Sequence, residues 1–285
     1  MLVPCEERGY QVVKANDLIQ KSSYLLPLSS QKLFAFICSM IKPPDPTAGI
    51  PPPDRMIYSF DIRKYCIICG INYTNGGKTL AYVKQSLKRL ADYSVYIKAY
   101  GEREVLCRWL DEVVIDKKSF IATVRIGKHL APYLLDLSSR FTSYQLINIL
   151  PMKSAYSIRL YEIIKSYQFQ HEVKINTDDI RKYVFTKTAR CNRCPGRDSE
   201  KCFECDEYKN YYRDFTELRR RVIDVAVNEI NTHTDIKIEM KPHKFGRSVS
   251  YVTFSIRENT FEESFQTWLL HKETLGLIEE EFYER

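Results

Sequence analysis

The sequence predicts an α+β fold in which one order of elements occurs twice. Apolar residues at helical spacing give way to strand alternation near residue 95 and again near residue 236. Around these passages lie stretches rich in Gly or Cys, and one so dense in Pro that neither a helix interior nor a central strand could accommodate it. At 285 residues the chain has room for two cores of ordinary size.

The first pass begins at Ser29 and Ser30, whose hydroxyls offer N-caps to a helix with Leu33, Phe34, Ile37 and Ile41 at steps of three and four. The proline-dense stretch KPPDPTAGIPPPD, Lys42 to Asp54, is a loop. After Ile57 to Phe60, DIRKYCIICG reads as a short helix ending at Gly70, and Thr74 to Gly77 as a turn. KTLAYVKQSLKRLADYSVYI then changes period midway. Leu80, Val83, Leu87, Leu90 and Ala91 share one helical face, whereas Val95 and Ile97 begin a strand. Strand patterns continue through Val105, Cys107 and Trp109, and through Phe120, Ala122, Val124 and Ile126.

The second pass repeats this order. KSAYSIRLYEIIKSY, Lys153 to Tyr167, is a helix, Val173 to Ile175 a strand, and NTDDIRKYV a short capped helix. A Cys-rich insert at 191–205 follows. DFTELRRRVIDVAVNEIN spaces Phe215, Leu218, Val222, Ala226 and Ile230 as a helix, and IKIEMKPHKFGRSVSYVTFSI is a hairpin turning near Gly246, with Val252, Phe254 and Ile256 alternating. Helices, a turn, a second helix and a β-wing, taken twice, make two tandem winged-helix domains, 1–140 and 141–257. The tail 258–285 reads as one helix packed on the second domain.

Charge narrows the class of partner. The formal charge is +7 with pI near 8.8, which favours an anionic partner, but 36 acidic residues require the positive charge to be concentrated locally. No apolar run is long enough for a bilayer, and Glu6 and Glu7 stand where a signal peptide would be apolar, so a soluble, cytoplasmic protein is expected. On the first candidate recognition helix, steps of about 100° set Lys78, Tyr82, Gln85 and Arg89 opposite the apolar stripe, with Lys88 on a flank. On the second, Arg213, Arg220 and Arg221 point away from Leu218, Val222 and Ala226, while Arg219 lies nearer the buried edge, where it packs or pairs. The following hairpin carries Lys241, His243, Lys244 and Arg247 about its turn. A single basic helix is more often a solvated face than a DNA contact; here a cationic stripe and the same element order occur twice, which favours double-stranded DNA.

Several segments resemble, in order, the iteron-binding plasmid replication initiators with tandem winged-helix domains. VVKANDLIQKSSYLLPLSSQKLFAF is similar to that family's opening segment. KSAYSIRLYEIIKSY is similar to its signature helix, with Ser154 and Arg159 at polar positions, here candidate DNA contacts, and Leu160 and Tyr161 at buried ones. The run from Asp214 to Ile256 resembles the second recognition helix and wing, including Glu229 to Asn231 and Gly246 to Arg247. The resemblance covers about Val12 to Ile256 and is more specific in the second half. It implies binding to repeated origin sites, duplex opening, recruitment of host replication proteins, a monomer–dimer equilibrium and repression of the initiator's own promoter.

Cys191, Cys194, Cys202 and Cys205 form two CxxC pairs with the spacing of a tetrahedral Zn²⁺ site, against the alternatives of free thiols or a redox pair. The insert departs from the family pattern, and a structural zinc there would brace the second recognition helix. Cys66 and Cys69 fall in an Ile-rich helix and read as small buried hydrophobes. Enzymatic readings find little support. Gly76-Gly77-Lys78-Thr79 has Asn72 where a phosphate-binding loop needs glycine, the five histidines are widely separated, and Asp178 and Asp179 sit at a helix start. The competing reading is a winged-helix transcriptional regulator with a structural zinc; a third is an interaction module without DNA affinity.

Overall fold

The computed structural model describes residues 10–22, 24, 26–41, 56–72, 77–98, 104–135, 140–184, 212 and 214–275. The first half runs β1 (Gln11–Ala15), α1 (Asn16–Lys21), α2 (Leu28–Ser39), β2 (Ile57–Asp61), α3 (Ile62–Ile68), α4 (Lys78–Asp92), β3 (Ser94–Lys98), β4 (Glu104–Arg108), β5 (Leu110–Asp116), β6 (Ile121–Ile126), α5 (Pro132–Leu135) and β7 (Phe141–Gln145). The second continues with α6 (Ala155–Lys165), β8 (Glu172–Asn176), α7 (Thr177–Tyr183) and α8 (Phe215–Leu218), which passes through a π-helical stretch, Arg219–Ile223, into α9 (Asp224–His233). The hairpin β9 (Ile236–Phe245) and β10 (Ser248–Glu258) and the tail helix α10 (Phe261–Leu275) complete it. All strand pairs are antiparallel, in sheets β1-β7, β2-β6-β5, β3-β4 and β8-β10-β9.

Two winged-helix units therefore stand in tandem. In the first, Asp61 caps α3 by accepting from the Arg63 and Lys64 amides at 2.7 and 3.4 Å, and Gly77, at φ 75°, admits the chain into α4. Val83, Leu87 and Leu90 are fully buried, as the helical period requires. Cys66 and Cys69 are buried and not joined in a disulfide, and burial pushes the Cys66 thiol up to about 11.

Several local expectations change. Ser29 and Ser30 lie inside the first turn of α2, with Pro27 at its N-cap position. They tie α2 to α4 instead: Ser86 Oγ donates to Ser29 Oγ at 2.9 Å and Ser30 Oγ donates to the Ser86 carbonyl at 3.2 Å. Trp109 is not within a strand; β4 ends at Arg108, and the fully buried indole packs edge-on against Tyr24 and Phe34, with centroids 4.6 and 4.8 Å apart. Asn176 occupies the N-cap position of α7, but its amide meets Asp179 at 3.4 Å and makes no cap bond. Helix α6 is shorter than the Lys153 to Tyr167 reading because Ser154 caps it. A boundary between 140 and 141 separates β1 from its partner β7.

Helix α6 holds the two units together. Glu162 is 2.6 Å from Lys14 of β1, accepts the Tyr144 hydroxyl at 2.6 Å, and lies 3.9 Å from Arg159, all of them buried. Burial works against both charged forms, yet Glu162 holds the Lys14 amine above its ordinary range, and Lys14 and Arg159 hold the Glu162 carboxyl below its own. On the other side of α6, the Tyr161 hydroxyl donates to Asp235 at 2.8 Å and accepts from Asn148 at 3.0 Å, while Lys165 pairs with Asp235 at 2.6 Å. Glu229 of α9 accepts the Lys153 and Ser154 amides ahead of α6 at 2.8 and 3.2 Å.

Helix α10 packs on the second unit and also reaches the first; residues 276–285 of the tail lie outside the described residues. His271, 3% exposed, donates from Nε2 to the His233 carbonyl at 2.9 Å, and burial pushes its imidazole down to about 4. At its far end Leu275 abuts Gly70, where a Cβ would stand only 3.1 Å from Leu275 Cδ2.

Breaking the Glu162 pair leaves a buried, unpaired Lys14. Glu162→Ala is expected to cost about 3–5 kcal/mol in denaturant unfolding, and the double variant Lys14→Met, Glu162→Leu less than Glu162→Ala alone. An unchanged midpoint in Glu162→Ala would refute the tie.

Candidate nucleic-acid interface

Helix α4 presents the polar stripe read from its period. Lys78, Tyr82, Gln85, Lys88 and Arg89 are all exposed, opposite the buried Val83, Leu87 and Leu90. Lys84 is exposed beside them and was not singled out by sequence, although the same 100° steps place it on the solvent side. Lys88 is committed to Asp92 at 2.5 Å in an exposed pair, which water and salt screen strongly. Among the described residues Lys78, Lys84 and Arg89 carry no ion pair.

The α8–α9 helix differs from a regular α-helix where its arginines sit. The Asp224 amide donates to the Arg219 carbonyl five residues back, which defines the π turn. The extra residue leaves Arg219, Arg220 and Arg221 exposed in succession and puts Val222 and Ile223 side by side in the core. Arg219, expected near the buried edge, is exposed and pairs with Asp224 at 3.2 Å. One carboxylate, Glu217, accepts from Arg220 at 2.8 Å and from Arg221 at 2.7 Å. These bonds, first to Arg221 and then to Arg220, hold the Glu217 carboxyl below its usual range. An anionic ligand at this surface would compete with Glu217 for both guanidinium groups. Arg213 lies outside the described residues.

The wing is joined to that helix through Asn231, which accepts the Ile238 amide at 2.7 Å and donates to the Ile238 carbonyl at 2.9 Å. Lys241, Lys244 and Arg247 are exposed along the hairpin, and His243 stacks on Tyr251 with centroids 4.5 Å apart. Gly246, at φ 62°, makes the turn. Phe245, 85% exposed beside it, is a further surface residue that alternation alone does not mark.

Two of the expected contacts are corrected. Arg159 is 0% exposed; Nη2 donates to the Ile19 and Ser22 carbonyls at 2.6 and 2.8 Å, and the guanidinium lies over the Tyr24 ring at 4.2 Å. It is a core cation and faces no ligand. Ser154 is the N-cap of α6, accepting the Tyr156 amide at 3.2 Å, and its own amide is held by Glu229. The segments that carry the family resemblance thus act in large part as structural joints. Leu18 and Ile19 are buried, Glu229 and Asn231 anchor α6 and the wing, and Leu160 and Tyr161 are fully buried.

Cys191, Cys194, Cys202 and Cys205 lie outside the described residues, and among the described residues no group of three or more potential metal ligands occurs. No described helix is long and apolar enough to cross a membrane.

Two winged-helix units, each with a polar, cation-bearing helix followed by a hairpin, define a protein of the tandem winged-helix class. The family model described as "Initiator Replication protein, WH1" matches residues 11–165, and that described as "Initiator Rep protein, WH2" matches 202–256. The chain belongs to this family of replication initiators. Its fold is similar to the solved structure "Crystal structure of Pi initiator protein in complex with iteron DNA", with a TM-score of 0.63 and 17% identity over 88% of this chain and 98% of that one. The first family model runs through α6, which agrees with the pairing of β1 and β7.

Replacing Arg220 and Arg221 by Ala is expected to weaken duplex binding and to reduce the slope of log K against log salt by about 2, with folding stability unchanged within about 0.5 kcal/mol. Arg159→Ala should behave in the opposite way and unfold the protein, as read by circular dichroism melts. Equal DNA affinity in the double variant would place the DNA contact on another face of the helix.

Proposed function

We propose that this protein initiates plasmid replication by binding repeated duplex DNA sites at an origin, promoting their opening and recruiting host replication proteins in the cytoplasm. The observation that carries the reading is the presence of two recognition-type helices with exposed cations on one chain, joined through the buried contacts of α6. Such joining favours adjacent contacts along one double helix, and the phosphate charge supplies affinity while base edges supply sequence. The Pi initiator, similar in fold, is in complex with iteron DNA in its solved structure. A monomer–dimer equilibrium belongs to the same reading, because repression of the initiator's own promoter uses the same two domains in a second oligomeric form.

The test is a mobility-shift titration at several salt concentrations against tandem-repeat origin DNA and against a single palindrome, with permanganate probing of the bound DNA. Binding to the repeats with strand opening supports an initiator. Preference for the lone palindrome without opening would make the protein a regulator only, and no salt-dependent binding to either DNA would remove the reading altogether.

The spacing of Cys191, Cys194, Cys202 and Cys205 further supports a structural Zn²⁺ held by four thiolates. Elemental analysis of the purified protein should find one zinc per chain, lost on replacing Cys202 and Cys205 by Ser. A metal-free native protein would rule the site out.

A further inference from the structure

We propose that Phe245, at the tip of the second wing, is a wedge that enters a base step of the bound duplex and unstacks it. The proposal rests on the DNA-binding reading and adds to it the device that distorts the helix.

An apolar ring is costly to leave in water, and Phe245 is 85% exposed. It closes β9 opposite Ser248, with only Gly246 and Arg247 between them. Gly246 has a positive φ at the first central position, the arrangement of a type II′ hairpin, and a Cβ there would meet nothing within 4 Å. The glycine is therefore required by the backbone conformation and not by crowding. It ends the hairpin in the shortest common turn and leaves the ring at the tip.

The surroundings point to a polyanion. Exposed Lys244 precedes Phe245 directly, exposed Arg247 follows it after Gly246, and Lys241 projects from the same face of β9 as Phe245. None of the three is committed to a carboxylate among the described residues. An apolar ring at the turn with cations before and after it along the chain suits a base step with its flanking phosphates. This is the arrangement by which apolar side chains inserted from the minor groove kink DNA.

A second strongly exposed phenylalanine shows the contrast. Phe261, 89% exposed, is followed directly by Glu262 and Glu263, which phosphates would repel.

A wedge also needs a stiff support. Directly behind Phe245 on the same strand face, His243 stacks on Tyr251 at an interplanar angle of 9° and shares a hydrogen bond with Thr253 at 3.1 Å. Lys174 of β8 lies 3.5 Å from the Tyr251 centroid. These contacts cross all three strands of the sheet, so load on the tip is passed to its base. Pyrimidine–purine steps unstack most easily, and the wedge should therefore favour a TA or CA step at its position.

The test uses the full chain and a duplex selected by the wild-type protein from a random-sequence pool, with 2-aminopurine placed at successive positions. Wild-type binding should brighten the probe severalfold at one step. Phe245→Ala should abolish the signal while retaining most of the affinity, which rests on Arg and Lys contacts, and Phe245→Leu should keep it. The ring touches no buried core, so the variants should fold as wild type does. Binding by the wild type with no brightened step, or an undiminished signal in Phe245→Ala, would overturn the wedge alone. A change of oligomeric mass in Phe245→Ala without loss of the signal would assign the ring to a protein contact and also overturn it. Failure of the wild type to select any duplex would overturn the wedge together with the DNA-binding reading.

Discussion

The contact between Lys14 and Glu162 sets the geometry on which everything else depends. A lysine on the first strand and a glutamate on α6 meet at 2.6 Å with almost no access to water, and Tyr144 and Arg159 complete the carboxylate's surroundings. Ion pairs of this kind contribute little net stability compared with apolar residues of the same shape, because both charges lose their hydration. Their effect is selective: a packing that separates the partners strands a buried charge. The position of α6 against β1 is thereby fixed, and through Asp235 and Glu229 so is the placement of the second unit against the first.

That constraint divides the cations into two populations. Lys14 and Arg159 are buried and hold the joint; the Arg159 guanidinium meets two carbonyls and the Tyr24 ring, a set of contacts suited to a planar group rather than a lysine, while its buried Nε has no hydrogen-bond partner among the described residues. Among the described residues, the exposed cations of α4, α8–α9 and the wing have either no ion pair or an exposed, screened one. Net charge does not reveal this division, since a core arginine and a surface arginine count equally. With Lys14 and Arg159 withdrawn into the core, positive surface has to come from exposed cations such as those of α4, α8–α9 and the wing.

Period made much of the architecture legible. The stripes of α4 and α8–α9, the paired strands of the second wing and the short helix α7 follow from residue spacing, because local apolar patterning and tertiary burial agree there. What stayed hidden depends on distant partners. β1 is five residues long, and QVVKA becomes a strand only because residues 141–145 come to lie beside it. The burial of Arg159 runs against the usual exposure of arginine, and it is the carbonyls of Ile19 and Ser22, the Tyr24 ring and Glu162 that accommodate it. Ser29 and Ser30 resemble caps in sequence, yet their hydroxyls find Ser86 on another helix. The π turn was equally unreadable, since nothing in RRRVI distinguishes a five-residue carbonyl-to-amide step from a four-residue one.

The π turn is also where fold and candidate site meet. Without the extra residue, the regular 100° step would carry one of the three arginines toward the core side, as the sequence suggests for Arg219. With it, the stripe of Leu218, Val222 and Ala226 remains buried while three guanidinium groups stay in solvent. Glu217 then holds Arg220 and Arg221 from one carboxylate, which orders them before any ligand arrives. Under the proposed DNA-binding reading, phosphate oxygens would offer the same acceptor geometry, binding would exchange one set of charge-assisted hydrogen bonds for another, and part of the ordering cost would be met in the free protein. Helix packing, local backbone irregularity and surface charge are therefore a single arrangement, and shifting any one of them alters the other two.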